Sequence, residues 1–339
     1  MRVLVTGAAG FIGFHLSRLL LDQGHEVIGL DSHNDYYDPA LKHARETQLC
    51  ADPAYTSVRG KVEESGLLMD LFATHRPGAV VHLAAQAGVR YSIDNPRAYV
   101  EANLLGTFEL LEAARAHRPR HLLMASTSSV YGANTDMPYA ETDKADTQMS
   151  FYAATKKSNE AMAHSYAHLF DIPVTMFRFF TVYGPWGRPD MAPYLFTSAI
   201  FEGRPIRVFN HGEMRRDFTY VGDLVRAIRL LVDAVPERPA DMAQVASGDS
   251  LSPVAPWRVV NIGNGESVQL LEFIAAIEAA AGRPAIREML PIQPGDVPAT
   301  WADTALLRRL TGYAPQTSVR EGVAAYVDWF RDYYGVAPG

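Results

Sequence analysis

The sequence predicts an α/β protein built on a doubly wound parallel sheet, with a smaller α/β subdomain towards the C-terminus. Three observations support this fold class. A glycine-rich turn separates a short apolar strand from a helix at the N-terminus, apolar strands then alternate with helices as far as residue 183, and the chain afterwards becomes turn-rich and aromatic. Regular alternation of this kind is typical of a parallel sheet covered by helices on both faces.

The first element is a strand at 2–5, which runs into a turn with a glycine at every third position, and a helix follows at 14–23. Glycines make such a turn tight and let the backbone approach a pyrophosphate, while the helix N-terminus supplies free N–H groups. The turn therefore predicts a dinucleotide site, although a plain strand-to-helix turn is the alternative. The candidate cofactor residues in this turn are Gly7, Gly10, Phe11, Ile12 and Gly13.

The second strand, at 26–30, is followed directly by Asp31. A carboxylate at this point accepts hydrogen bonds from the adenosine ribose and repels a 2′-phosphate. Asp31 therefore favours NAD over NADP as the cofactor.

A cluster of hydroxyl side chains, Ser126-Thr127-Ser128-Ser129, ends the strand predicted at 121–126. Open α/β sheets bind their ligands at this carboxyl edge. The hydroxyl of Thr127 or Ser129 can therefore hold an oxygen of a bound substrate. The other strands and helices of the first half are predicted at 41–49, 67–75, 79–85, 96–116, 151–170 and 174–180.

Tyr152 and Lys156 lie four residues apart at the start of the helix predicted at 151–170 and so share one face. A phenol is a poor base at its usual pKa of about 10, but a nearby ammonium lowers that pKa and lets the tyrosine exchange a proton with a substrate hydroxyl. On its own this spacing is common in surface helices. The prediction of a catalytic pair therefore depends on the glycine turn as well.

The domain boundary is predicted near residue 183, where the chain becomes turn-rich and aromatic and its strands and helices become shorter. Residues 1–183 are expected to bind the cofactor, and residues 184–339 are expected to form mainly a second subdomain, with some segments returning to the first. A segment at 236–256 is rich in Pro, Ser, Ala and Asp and reads as a surface loop.

Composition narrows the class of protein further. The 339 residues are 48% apolar, which is enough for a large core, and the net charge of -7 argues against binding to nucleic acid or to a membrane surface. The single cysteine, Cys50, excludes an internal disulfide and a cysteine-based zinc site, so we expect no metal and a cytoplasmic location. No stretch approaches 18 uninterrupted apolar residues, so no membrane span is expected.

Taken jointly, these motifs resemble the extended short-chain dehydrogenases that act on nucleotide sugars, a family with a Rossmann-type fold. The resemblance extends nearly end to end. It implies reversible C4 epimerisation of UDP-glucuronate to UDP-galacturonate on a tightly bound NAD that is not consumed. The segments that most resemble UDP-glucuronate 4-epimerases are 34–37, 85–92, 183–191 and 216–221.

The resemblance also implies roles for individual residues. Tyr152 takes the proton from the sugar 4-hydroxyl while the C4 hydride passes to NAD, Lys156 binds the nicotinamide ribose, and Thr127 binds the 4-oxygen. The 4-keto sugar then turns over within the site and receives the hydride on its opposite face. Further cofactor contacts are implied for Leu83, Ala84, Ala85, Gln86, Asn103 and Ser126.

The 4-keto intermediate of a uronic acid is a β-keto acid, which loses carbon dioxide readily, so the site must hold the carboxylate. Related decarboxylases carry a glutamate where this chain has Ser129, and related 4,6-dehydratases carry an Asp-Glu pair at 128–129. Serine hydroxyls bind a carboxylate without adding charge, which favours epimerisation. The candidate substrate contacts are Arg90, Thr127, Ser128, Ser129, Tyr152, Thr181, Arg188, Arg216 and Asp296, with Thr181 and the arginine fork of Arg188 expected at the carboxylate.

Three alternatives stay open: a 4-epimerase of UDP-glucose, a UDP-glucuronate decarboxylase, and a catalytically silent dinucleotide-sensing module. One departure from the family is Lys61, which stands where relatives carry an acidic residue that contacts the adenine amine. The helices at 96–117 and 152–170 resemble those through which the family pairs into dimers, so the resemblance implies a homodimer.

Overall fold

The computed structural model describes residues 1–292 and 297–336, and these form alternating strands and helices. The strands are Arg2–Thr6 (β1), Glu26–Asp31 (β2), Tyr55–Arg59 (β3), Ala79–His82 (β4), His121–Ala125 (β5), Val174–Phe179 (β6), Thr181–Tyr183 (β7), Ile206–Val208 (β8), Arg215–Arg216 (β9), Phe218–Tyr220 (β10), Trp257–Ile262 (β11), Val268–Gln269 (β12), Arg287–Met289 (β13) and Ala299–Thr300 (β14). The α-helices are Phe11–Asp22 (α1), Ala40–Leu49 (α2), Leu67–His75 (α3), Tyr91–Asp94 (α4), Pro96–Tyr99 (α5), Gly106–His117 (α6), Phe151–Phe170 (α7), Ala192–Glu202 (α8), Val221–Asp233 (α9), Leu270–Ala281 (α10), Ala305–Thr311 (α11) and Val319–Tyr334 (α12).

Seven parallel strands form the main sheet, in the order β11-β6-β5-β4-β1-β2-β3. The chain moves outwards from β1 to β3 on one side and then returns to β4 on the other side of β1. This reversal opens a crevice at the carboxyl ends of β1 and β4, which is where doubly wound sheets bind ligands. The predicted fold class is confirmed.

Helices cover both faces of the sheet because their apolar side chains repeat at helical spacing. On one face α1 packs against α9, whose buried side chains include Leu224, Ile228 and Leu231. On the other face α3 and α7 both contact α6, and Phe72 and Leu110 belong to that core.

Most of the remaining short strands and α8, α10 and α12 follow residue 180 and surround a third apolar core. Its centre is a stacked pair of rings, Phe218 and Phe273, whose centroids are 4.0 Å apart. The strand β11 also belongs to the C-terminal half, and it pairs with β6 at one edge of the main sheet. Among the helices of the described residues, none combines the length and the apolarity that a bilayer span requires.

Candidate active site

A cavity of about 740 Å³ opens at the carboxyl edge of the main sheet. Its volume lies within the range of pockets that bury a small-molecule ligand. The glycine turn, the carboxyl ends of several strands, among them β2, β4, β5 and β6, and the start of α7 all contribute to its wall. The predicted site residues that line it are Gly7, Gly10, Phe11, Ile12, Gly13, Asp31, Leu83, Ala84, Ala85, Gln86, Arg90, Ser126, Thr127, Tyr152, Lys156 and Arg188.

The turn between β1 and α1 is so close-packed that its glycines cannot be replaced. Gly7 has a φ of +72°, and a Cβ on it would lie 2.9 Å from the backbone nitrogen of Ala84. A Cβ on Gly13 would lie 2.0 Å from the carbonyl oxygen of Gly7. The backbone can therefore approach a ligand closely at the N-terminus of α1, where free N–H groups favour phosphate.

Asp31 closes the same wall with its carboxylate held in one orientation. One oxygen accepts a hydrogen bond from the backbone N–H of Ala9 at 3.0 Å, and the other accepts one from that of His33 at 2.8 Å. A fixed carboxylate beside a close-packed glycine turn is the donor and acceptor set that a dinucleotide requires. These residues therefore fit NAD.

Tyr152, Thr127 and Lys156 meet where α7 begins, at the end of β5. Lys156 is buried, and its ammonium donates to the carbonyl oxygen of Ala125 at 2.8 Å. Burial lowers the pKa of Lys156 to about 8, although the charge of Glu160 opposes that shift. The pair predicted from the sequence is thus assembled in the cavity.

The pKa of Tyr152 differs from the expectation that a nearby ammonium lowers it. Burial raises this pKa above its usual value, and a hydrogen bond with Thr127 and the charge of Arg188 oppose the rise without cancelling it. The loss of hydration of a buried phenolate thus outweighs the neighbouring dipole and charge.

Beneath this cluster lies a buried ion pair between Glu160 and Arg178. The guanidinium donates from Nε at 3.0 Å and from Nη2 at 2.9 Å to the two carboxylate oxygens. Glu160 also accepts from the hydroxyl of Ser126 at 2.7 Å. Burial raises the pKa of the Glu160 carboxyl, but the charge of Arg178 prevails and the net shift is downward. This ion pair fixes the end of β5 against α7, and it was not predicted from the sequence.

Arg188 reaches the cavity from the segment that follows β7, and Asp190 holds it there. Nε of Arg188 lies 3.0 Å from Oδ1 and Nη2 lies 2.5 Å from Oδ2 of Asp190. The hydroxyl of Tyr36 donates to the same carboxylate at 3.1 Å, and the Arg188 guanidinium carbon lies 5.6 Å from the centre of the Tyr36 ring. Tyr36 and Asp190 also line the cavity.

Several predicted residues lie elsewhere. Asn103 holds the backbone of Gln86 by accepting from its N–H at 2.8 Å and donating to its carbonyl at 3.1 Å. Asp296 lies outside the described residues. Within the described part of the chain, the predicted residues that lie off the cavity wall are Asn103, Ser128, Ser129, Thr181 and Arg216.

Two of these residues have contacts that explain their positions. Ser129 lies directly behind Thr127, because its backbone N–H donates to the Thr127 hydroxyl oxygen at 3.2 Å. Arg216 lies on β9, between β12 and β14, and donates to the carbonyl of Pro298 at 3.2 Å. Arg90, which does line the cavity, packs its guanidinium 5.4 Å from the ring centre of Phe209.

Some residues of the cavity wall were not predicted from the sequence as site residues, although several of them belong to the segments that resemble UDP-glucuronate 4-epimerases. The signal that could have identified them is the run of polar and aromatic side chains after β2. The residues concerned include Ser32, Asn34, Asp35, Tyr36, Tyr37, Lys42, Tyr91, Asp190 and Met191.

Comparison with known sequences identifies relatives over nearly the whole chain. The sequence model of the NAD dependent epimerase/dehydratase family matches residues 3–245. A protein of Rhizobium meliloti (strain 1021), described as a probable UDP-glucuronate 4-epimerase, is 52% identical over 334 residues, which cover 98% of this chain and 98% of the relative.

Solved structures show the same likeness. A UDP-glucuronic acid 4-epimerase from Bacillus cereus, in complex with UDP-glucuronic acid and NAD, is 32% identical and superposes with a TM-score of 0.87 over 98% of this chain and 100% of its own. A UDP-glucose 4-epimerase from Thermotoga maritima, with UDP-glucose, is 27% identical and superposes with a TM-score of 0.84 over 98% of this chain and 100% of its own.

Proposed function

The chain belongs to the NAD dependent epimerase/dehydratase family, and on this premise we propose that it catalyses the reversible C4 epimerisation of UDP-glucuronate to UDP-galacturonate. The observation that carries the proposal is the presence of Arg188 in the same cavity as Tyr152 and Thr127, close enough for its charge to lower the pKa of Tyr152. One ligand in this cavity can therefore contact both the hydroxyl of Tyr152, which transfers a proton, and the guanidinium of Arg188, which can bind a carboxylate.

NAD is the cofactor; the glycine turn and Asp31 would hold it, and when bound it would supply the acceptor and donor of the C4 hydride of the sugar. Tyr152 removes the proton of the 4-hydroxyl as the hydride leaves, and it returns a proton to the 4-oxygen at the end. Thr127 binds the 4-oxygen in both configurations. Lys156 provides a positive charge beneath the site, since its pKa of about 8 keeps it mostly protonated at neutral pH.

The carboxylate of the 4-keto sugar needs neutral or cationic partners so that carbon dioxide is retained. Arg188 supplies the cation at the cavity wall. Ser128, Ser129 and Thr181 lie off that wall, and we assign them as neutral hydroxyl groups around the same end of the sugar. Position 129 is a serine, which unlike a glutamate neither repels the carboxylate nor relays a proton to C5. This favours epimerisation over decarboxylation.

The nucleotide half of the substrate is assigned to the second half of the chain. Arg216 and Arg90 are cations suited to a diphosphate, and Asp296 is assigned to the nucleoside. We accordingly propose that residues 1–183 bind NAD and that residues 184–339 mainly bind the UDP-sugar. Asn103 is assigned an indirect cofactor role, because it fixes the backbone of Gln86 at the cavity wall.

The protein is further proposed to form a homodimer through α7 and through the helical segment 96–117, in which a π-helical stretch, Val100–Leu105, joins α5 to α6. Large apolar side chains are exposed along these elements, with exposed fractions of 44% for Leu105, 43% for Phe108 and 66% for Leu169. A cytoplasmic location is supported by the single cysteine, Cys50, an exposed free thiol that suits a reducing compartment.

The decisive experiment is to incubate the purified protein with UDP-glucuronate and no added cofactor and to resolve the products by mass and proton NMR. A product of unchanged mass with the galacto configuration at C4 is expected. Loss of carbon dioxide would establish the decarboxylase instead. Turnover of UDP-glucose alone would establish an epimerase of neutral sugars. If neither sugar is turned over after NAD is added, the protein is instead a dinucleotide-sensing module.

A matched pair of variants ties the result to the site. Tyr152→Phe removes the proton-transfer hydroxyl and is expected to lower kcat by about a thousandfold, within the range for lost general acid–base catalysis. Tyr166→Phe is the control, because Tyr166 lies on the same helix and donates to Glu112 at 2.7 Å, away from the cavity wall.

A further inference from the structure

Two histidines and a glutamate converge beside the loop that follows Asp31. One nitrogen from each imidazole of His33 and His43 and one carboxylate oxygen of Glu46 lie within 4.8 Å of one another. His33 comes from the loop after β2, whereas His43 and Glu46 are three residues apart on α2 and so share a face of that helix. The fold therefore assembles a group that is not contiguous in the sequence.

The central member, His33, is buried and has a nitrogen without a hydrogen-bond partner in the described part of the chain. Its Nε2 lies 3.1 Å from Oε2 of Glu46, yet the contact falls outside hydrogen-bond geometry. Its Nδ1 lies 3.2 Å from Nδ1 of His43. An imidazole gives a cation only one of its nitrogens, and in His33 the unpartnered Nε2, which faces Glu46, is that nitrogen. Two atoms that share a cation lie about as far apart as Nε2 and the Glu46 oxygen do.

We propose that His33, His43 and Glu46 form a binding site for a divalent cation of the zinc type. Two imidazoles and a carboxylate suit Zn²⁺ and leave a fourth position for water. Tetrahedral zinc places its ligand atoms about 3.3 Å apart, given bonds of about 2.0–2.1 Å. The exposed His43 and the partly exposed Glu46 can rotate to close the remaining separation around the buried His33.

The surrounding charges leave the group available to a cation. Lys42 is adjacent to His43, but its ammonium donates to the backbone carbonyl of Asn34 at 2.7 Å. Arg45, next to Glu46, donates to the carbonyl of Ala9 at 3.0 Å. The second oxygen of Glu46 accepts from the hydroxyl of Ser57 at 2.6 Å, which orients the carboxylate as partners of metal ligands commonly do.

The site has a structural role. It joins α2 to the loop whose backbone N–H, at His33, holds the carboxylate of Asp31 at 2.8 Å. A bound cation therefore stabilises the folded chain, because unfolding separates its ligands. This inference is independent of the proposed epimerase activity, since none of its three ligands lines the cavity wall.

The test uses the full chain without an affinity tag, freed of metal by a chelator and titrated with Zn²⁺, with Co²⁺ as a spectroscopic probe. We expect one Zn²⁺ per chain, visible Co²⁺ absorption of a low-coordinate site, and a higher melting temperature with the metal. His43→Gln and Glu46→Gln each remove a ligand from the surface of α2 and should weaken binding at least about tenfold.

Two control variants make the outcome decisive. His117→Gln removes an exposed histidine on α6, and Cys50→Ser removes the exposed thiol one turn beyond Glu46. Both should bind Zn²⁺ as the parent does. Absence of binding, equal binding by the His43 and Glu46 variants, or loss of binding in Cys50→Ser would each overturn the proposal, and metal-free melting curves show whether every variant folds.

Discussion

Arg188 and Asp190 form a two-point ion pair inside the cavity, with Nε to Oδ1 at 3.0 Å and Nη2 to Oδ2 at 2.5 Å. The pair uses the Nε and Nη2 edge of the guanidinium. Tyr36 donates to Asp190 at 3.1 Å and so fixes the carboxylate in turn. Arg188 is therefore presented to the cavity in one orientation, and Asp190 offsets its charge when no carboxylate is bound.

The first prediction concerns discrimination between an acidic and a neutral sugar. Arg188→Gln removes a charge-assisted hydrogen bond, which contributes about 1.5–3 kcal/mol. We expect kcat/KM for UDP-glucuronate to fall by about 10–100-fold. For UDP-glucose kcat/KM should fall less, because that sugar loses only the effect of the Arg188 charge on the pKa of Tyr152. Steady-state kinetics with the two sugars, measured side by side, checks this.

Asp190→Asn is the matched control for Arg188→Gln. It removes the competing carboxylate but keeps the guanidinium, so the preference for UDP-glucuronate should survive. If both variants lose the preference equally, the two residues act only as a structural pair, and Arg188 does not bind the substrate carboxylate.

The sequence predicted the fold well where local signals are strong. The glycine turn and the apolar strands each carry their own pattern, so β1 and β5 were placed to within one residue, whereas β4 ends three residues earlier than predicted. The edge strand β3 was missed because only Tyr55 is buried in it, and a mostly polar strand has no apolar pattern. Strands whose side chains are mostly buried could therefore be predicted from the sequence, and a strand with mostly exposed side chains could not.

Contacts between distant residues in the sequence were not predictable. Arg178 lies in an apolar strand and finds Glu160 only because β6 runs beside α7 in the fold. The group of His33, His43 and Glu46 was missed for the same reason, since the expectation of no metal rested on the single cysteine. Side-chain pairing across elements needs the tertiary structure.

The second prediction is a loss of stability in mild acid. Burial lowers the pKa of His82 to about 3 and those of His15 and His121 to about 4. Each histidine titrates near 6.5 in the unfolded chain, so the unfolded state binds more protons below that pH. The free energy of unfolding should therefore fall as the pH drops from about 6.5 to about 4, by up to about 1.4 kcal/mol per pH unit for each histidine.

Urea denaturation at stepped pH measures this slope. His121→Gln removes one of the three groups and should flatten the slope, whereas His117→Gln removes an exposed histidine and should leave it unchanged. An unchanged slope in the His121 variant would show that this histidine is not the source of the acid sensitivity.

The third prediction concerns the proposed dimer. Phe108→Glu places a charge on the exposed apolar surface of α6, where a partner helix would have to bury it. We expect a monomer by light scattering, compared with a dimer for the parent, and an unchanged fold by circular dichroism. Ile93→Glu is the control, because Ile93 is also exposed but precedes this helix, on α4. If the parent protein is itself a monomer by light scattering, the proposed homodimer is wrong.

The last prediction concerns Lys156, whose burial affects both the stability of the fold and the catalytic site. Its pKa falls from 10.5 to about 8 on folding, mainly through burial, so the folded chain holds this proton less tightly than the unfolded chain does. With about 1.4 kcal/mol for each pKa unit, the charged lysine destabilises the fold by about 3 kcal/mol at pH 7. This loss is recovered as the pH rises from about 8 to about 10.5.

Lys156→Met should therefore raise the melting temperature by a few degrees while it abolishes epimerisation, and the gain should shrink above pH 8. Lys157→Met is the matched control, because Lys157 is its neighbour on α7 and keeps 35% of its side chain exposed. Lys157 donates to Glu160 at 3.0 Å, so its loss should lower the melting temperature if it changes it at all, and activity should be kept. A lower melting temperature for Lys156→Met would mean that the contact with the Ala125 carbonyl and the charge of Glu160 outweigh the loss of hydration. Retained activity would show that the ammonium is not needed for the proton transfer at Tyr152.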